Sequence, residues 1–199
     1  MRRESAGFTI IEIMVAIAIS SIGMLGIAAL QLNGLHGVNS SGNRTQVNLL
    51  IDDLIERMQA NPTAAQAGQY IAALNGASVI AAINECQDYY NGVINTAGII
   101  CTPAQMAAYD MNTWFFGTRN GALPRANGIR TQLPASAVVA VTCADSSGAD
   151  AATCTAGSVH TICVSWQESG VVGGSAVDCA GTAVVAPSTI QLVRYNVVL

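Results

Sequence analysis

A single carboxylate, Glu12, opens an apolar run that holds no other Asp, Glu, Lys or Arg from Ile13 to Asn43. In hydrocarbon an ionised side chain costs about 2.5–3.5 kcal/mol on insertion scales, so Glu12 demands a cationic partner or a dedicated use. A polar, basic stretch precedes it, Met1-Arg2-Arg3-Glu4-Ser5-Ala6-Gly7, and the junction reads Gly7-Phe8-Thr9. The second reactive set is six cysteines, Cys86, Cys101, Cys143, Cys154, Cys163 and Cys179. They form no Cys-x-x-Cys pair, and the histidines are His36 and His160, so the spacing argues against a zinc site. Arg2 and Arg3 stay cytoplasmic by the positive-inside rule, which puts the C-terminal bulk outside. Cysteines there form disulfides, with free buried thiols the alternative. Proximity in sequence pairs Cys86 with Cys101. The other four staple the C-terminal region in a connectivity that spacing leaves open.

Catalysis finds little footing. No Gly-x-Ser-x-Gly, His-Glu-x-x-His or phosphate loop occurs, so the chain is expected to carry no catalytic, cofactor-binding or metal-ligating residues. Asp145 and Asp150 flank Ser-Ser-Gly-Ala, which lacks the ligand density of a calcium loop and reads as a turn. His36, at the end of the apolar run, reads as an interfacial residue. The sequon Asn43-Arg44-Thr45 carries no weight here. The net charge is −4, and every one of the eight basic residues is arginine. Nucleic-acid binders show a basic stripe. Arg119, Arg125 and Arg130 cluster in sequence but read as a solvated loop face, so no nucleic-acid partner is expected.

The elements that must position these residues begin with one long helix. From Ile13 to Leu30 apolar residues fill every face, as in a helix embedded in lipid or in a filament core. The run exceeds the apolar stretch of an ordinary secretory signal. A plain membrane anchor fits its length but leaves Glu12 unexplained. Gly23 and Gly26 read either as close-contact or melting points, or as ordinary membrane-helix glycines. Beyond Asn43 the pattern narrows to one stripe, Val47, Leu50, Ile51, Leu54, Ile55 and Met58. Asn61-Pro62 stops the helix. From Phe8 to Ala60 it would measure roughly 80 Å at about 1.5 Å per residue.

The rest divides in two. Residues 62–133 read as an irregular αβ region. Ala64–Ala82 has helical propensity, with Tyr70, Ile71, Leu74, Ile80 and Ile83 as its apolar positions. Thr102-Pro103-Ala104-Gln105 reads as a helix start, leading through Met106, Tyr109 and Met111 to Trp114-Phe115-Phe116, which read as core. Residues 134–199 read as strands: Ala137–Cys143, a half-buried strand with Ile162, Val164 and Trp166 on one face, and Thr189–Leu199. Ser146-Ser147-Gly148 and Gly173-Gly174-Ser175 mark turns. Short polar connections favour an antiparallel sheet, which the helix stripe would cover, giving an α+β fold.

The junction Gly7-Phe8-Thr9-Ile10-Ile11-Glu12 before a long apolar helix resembles the class III signal of type IV prepilins and pseudopilins. The stretches Ser21–Gln31 and Asn48–Pro62, the latter ending Arg57-Met58-Gln59-Ala60-Asn61, resemble minor pilins of the PilV type, as does Val164-Ser165-Trp166. The resemblance covers the first third of the chain well and the rest loosely. It implies a type IV pilin-like lollipop. Residues 1–7 would be a leader cut between Gly7 and Phe8, with Phe8 N-methylated. Residues 8–34 would form the transmembrane and filament-core half of the helix, and residues 35–199 a periplasmic head, with the amphipathic half of the helix running to about residue 61. Glu12 would guide subunit docking.

The implied role is a structural subunit of the minor-pilin complex that primes pilus assembly and sits at the tip, supporting twitching motility and adhesion. The implied partners are other minor pilins, the major pilin, the prepilin peptidase and methylase, and the inner-membrane assembly machinery. The protein would sit in the inner membrane before joining the pilus at the cell surface. Two alternatives share the leader: a minor pseudopilin of type II secretion, and a tip adhesin or DNA-uptake pilin. Many major pilins carry a proline within this helix, whereas the first proline here is Pro62.

Overall fold

A computed structural model describes residues 7, 9–79, 83–90, 93–120, 123–146, 154–169, 177–182 and 188–199. Phe8, the basic residues Arg2 and Arg3, Ile80, Gly148, Asp150 and the Gly173-Gly174-Ser175 turn lie outside the described residues, as do the side chains of Arg119 and Arg125. The chain divides into two compact units, Met1–Asn39 and Ser40–Leu199. Helix α1, Ile10–Ala60, contributes to both.

In the second unit α1 buries the stripe the spacing predicted: Val47, Ile51, Leu54 and Met58 are fully buried, and Leu50 and Ile55 pack beside them. After Asn61, Pro62 opens the short helix α2, Pro62–Gln66. The helical reading of Ala64–Ala82 holds only that far. Ala72–Asn75 is strand β1, paired antiparallel with β6, Val138–Ala144. Alanine's helix propensity is a weak preference, and sheet pairing that buries Ala72 and Leu74 against the core overrides it.

The sheet has four antiparallel strands in the order β1-β6-β7-β8, where β7 is Val159–Ser169 and β8 is Ser188–Val198. It therefore draws one strand from outside the predicted 134–199 region. Strand β7 also departs from the half-buried pattern, because Ile162 through Trp166 are all buried. One face meets the core; over the other, the Cys163–Cys179 disulfide and the Cys179 N–H, which donates to Ser165 Oγ, hold a covering segment.

Helix α3, Pro103–Phe116, starts at Thr102, whose hydroxyl accepts from the Gln105 N–H while the Gln105 side chain accepts from the Thr102 N–H. This reciprocal capping box satisfies two otherwise orphaned donors. The helix carries Trp114, Phe115 and Phe116 into the core, with the two Phe rings packed edge to face at 4.9 Å. Gly117 ends it with a positive φ of 92°. Helix α4, Ile129–Gln132, begins beside that end. A Cβ on Gly128 would lie 2.2 Å from the Gly117 nitrogen, so only glycine allows this approach. Two small hairpins lie outside the four-stranded sheet, β2–β3, Tyr89–Tyr90 and Asn95–Thr96, and β4–β5, Thr118–Asn120 and Leu123–Ala126, the latter bearing Arg119 and Arg125 on strands rather than on the predicted loop. Arg130 stacks over Phe116 and donates to the Ser78 carbonyl, which ties it down.

Candidate functional site

The first unit presents an apolar helix that none of its described residues covers. Its best window has a mean hydropathy of 2.4 and is 0% buried, and the helix is long and apolar enough to cross a membrane. Ile10, Leu25 and Leu30 expose 81%, 72% and 72% of their surface. Glu12 lies in the first turn of α1, where the helix dipole favours a negative charge. With Ile13, Ala16, Ile17, Ser20, Ser21 and Met24 it lines a shallow, mostly apolar concavity. Ser21 donates to the Ile17 carbonyl at 2.7 Å, which satisfies its hydroxyl proton within the helix. The helix runs through Gly23 and Gly26, and a Cβ at either would meet no other part of this chain. Such a helix can hold one anion in an apolar setting and offer it to a cation from elsewhere.

The second unit locks the other part of α1 through Arg57. Its Nε donates to Asp53 Oδ2 at 3.0 Å, and its Nη1 to Asp110 Oδ1 at 3.3 Å and Thr113 Oγ1 at 3.2 Å. The Tyr70 hydroxyl donates to Asp110 Oδ2 at 2.8 Å, and Asn61 Nδ2 donates to the Pro103 carbonyl. The node thus joins α1, the segment before β1, and α3. Burial raises the Asp110 pKa above its ordinary value, against the pull of Tyr70 and Arg57. Burial also raises the Tyr70 hydroxyl far above its usual range, reinforced by Asp110. For Arg57, burial acts downward, but Asp53 and Asp110 outweigh it and keep the guanidinium charged. The motif Arg57-Met58-Gln59-Ala60-Asn61 therefore works as a clasp, a role that sequence pattern did not reveal. The available signal was one Arg in the last turn of the helix, just before Asn-Pro.

A second clasp sits at the start of this unit. Asn43 Nδ2 donates to Glu168 Oε1 at 3.0 Å, Trp166 Nε1 donates to the same oxygen at 2.7 Å, and Arg44 donates to Gln191 Oε1. Burial opposes ionisation of Glu168, yet bonds from Trp166, Asn43 and Ser40 and the charge of Arg44 outweigh it and lower its pKa. Trp114 Nε1 adds a third tie, donating to the Leu50 carbonyl at 2.6 Å.

All six cysteines are joined, as Cys86–Cys101, Cys143–Cys154 and Cys163–Cys179. Folding also brings together residues that linear spacing kept apart: the sulfurs of Cys143 and Cys154 and a ring nitrogen of His160 lie within 4.8 Å of one another. The one hint in sequence was parity, because His160 shares the core face of β7 with Ile162 and Val164. Asp145 directly follows β6, and its Oδ1 accepts from Thr155 Oγ1 and Ser158 Oγ. Gly7 is described but Phe8 is not, so the geometry of the Gly7-Phe8 junction lies outside the described residues.

No curated protein and no solved structure matches the chain. Two family models match it. Residues 2–28 match the prokaryotic N-terminal methylation motif, which spans Gly7, Phe8 and Glu12. Residues 29–112 match the model described as Type IV pilin Tt1218, which spans Arg57, Tyr70 and Asp110 and ends within α3. Together they support a type IV pilin subunit, in a family of structural subunits, with an N-terminal helix suited to membrane anchoring before entry into a pilus.

Proposed function

We propose that this chain is a minor pilin of the type IV pilus, of the PilV type, that helps prime assembly and sits at the pilus tip, supporting twitching motility and adhesion. Residues 1–7 are the leader, removed between Gly7 and Phe8 by the prepilin peptidase, and the new Phe8 amine is methylated. Residues 8–34 hold the subunit in the inner membrane and later in the filament core. Residues 35–199 form a head on the periplasmic side. The partners are other minor pilins, the major pilin and the inner-membrane assembly machinery.

The observation that carries this reading is the exposed apolar stretch of α1 up to Asn39, which bears Glu12 as its lone carboxylate. In an apolar bundle Glu12 pairs with the positively charged Phe8 amine of a neighbouring subunit. Removing one partner of such a buried pair costs about 3–5 kcal/mol. Glu12→Ala should therefore abolish co-purification with the other pilins while the head stays folded. Undiminished recovery of the mutant with its partners would sink the docking role. Recovery of pseudopilins in place of pilins would assign the chain to type II secretion.

A further inference from the structure

Cys143, Cys154 and His160 meet at one corner of the sheet. Cys143 on β6 lies opposite His160 on β7 in register, and the disulfide brings Cys154 to the same place. The imidazole is 0% exposed and Cys154 is 2% exposed. His160 Nε2 lies 3.1 Å from the Ala65 carbonyl oxygen. That oxygen can only accept, so Nε2 donates to it, and in the neutral ring Nδ1 is then the acceptor. Nδ1 is buried and has no hydrogen-bond partner among the described residues. A buried acceptor left bare is rare and asks for an explanation. An imidazole held by a backbone carbonyl on one nitrogen and bare on the other is the arrangement of a metal-ligating histidine, and here two sulfurs lie beside it.

We propose that opening the Cys143–Cys154 disulfide converts this corner into a site for one thiophilic divalent cation of the zinc class, held by the two thiolates and His160 Nδ1. Two sulfurs and one imidazole suit such a cation, and three protein ligands leave its fourth position to water. An external dithiol drives the opening. It gives up two electrons and two protons and closes its own disulfide, while the Cys143–Cys154 bond breaks to two thiols. The cation then displaces both thiol protons to solvent as it binds. In the disulfide neither sulfur carries the anionic charge a cation needs, so the two closures exclude each other. Either one ties Cys154 to β6.

The test uses the full-length chain in detergent, reduced with dithiothreitol and freed of it without air. The chain is alkylated with iodoacetamide, with or without one equivalent of Zn2+, and labelling is mapped by peptide mass. Zn2+ should slow alkylation of Cys143 and Cys154 by about tenfold or more, because a metal-bound thiolate is a poor nucleophile. Cys86, Cys101, Cys163 and Cys179 should label as before, and His160→Asn should remove the protection. Absence of protection, protection at another pair, or equal protection in His160→Asn would overturn the proposal. Should His160→Asn fail to fold, X-ray absorption on the zinc-loaded native sequence decides. Two sulfur neighbours with nitrogen or oxygen completing the shell support the site, and four sulfurs refute it.

Discussion

The two parts of α1 are built from similar apolar residues and meet opposite fates. Before Asn39 the apolar side chains point in every direction and stay exposed, with Leu25 at 72%. After Ser40 they narrow to one stripe, and Val47, Ile51, Leu54 and Met58 reach 0% exposure. The second part is satisfied within its own chain, by packing and by clasps at Glu168, Leu50 and Arg57. The first finds no such cover among the described residues, and in the proposed role a lipid bilayer and then other subunits supply it. Mutations in the two parts should therefore separate cleanly. One class should change the stability of the head, and the other should change anchoring and assembly alone.

The largest effect should come from Trp114→Ala. It empties a site 1% exposed and frees the Leu50 carbonyl, so the head should lose about 3–5 kcal/mol. Leu25→Ala should leave head stability unchanged. Urea unfolding in detergent, followed by near-ultraviolet circular dichroism, measures both. Equal losses would break the comparison.

Arg57→Ala should come next, at about 2–3 kcal/mol, because it leaves Asp110 in its buried setting without its cation. Asp53, the partner on the solvent side, should matter less: Asp53→Ala should cost under about 1 kcal/mol. A ranking in which Asp53 exceeds Arg57 would show that the buried arm of the clasp is not the important one.

The smallest effects are in pH dependence, and the two clasps should differ in sign. The folded pKa of Asp110 lies above its ordinary 3.8. Its contribution is therefore fully present below that value and fades as pH rises through the folded pKa. The folded pKa of Glu168 lies below its ordinary 4.5. Its contribution is present above that value and is lost as pH falls through the folded pKa. Stability differences between the wild type and Asp110→Asn, and between the wild type and Glu168→Gln, should therefore run in opposite directions with pH. Parallel curves would remove the distinction.

What the sequence showed clearly was periodic or punctuated. The α1 stripe, the stop at Asn61-Pro62, the Thr102 cap and the three C-terminal strands all follow from local pattern. Strand β1 did not, because Ala72–Asn75 becomes a strand only by pairing with a segment more than sixty residues away. Burial on both faces of β7 was hidden for a related reason, since its cover is held on by Cys179. The Arg57 clasp and the Cys143–Cys154–His160 corner rest on contacts between distant residues, which composition and spacing do not encode. The N-terminal segment was the most legible of all, because its signal is linear: a polar head, Gly7-Phe8, and one carboxylate in an apolar run.

In the proposed role, α1 begins at the processed end of a pilin subunit. Intact and N-terminal mass analysis of the protein from its native membrane, with and without reduction, tests it most directly. The expected result is a chain that starts at methylated Phe8 and gains two hydrogens for each of the three disulfides on reduction. A chain that keeps Met1 would contradict it and leave a membrane-anchored domain outside any filament.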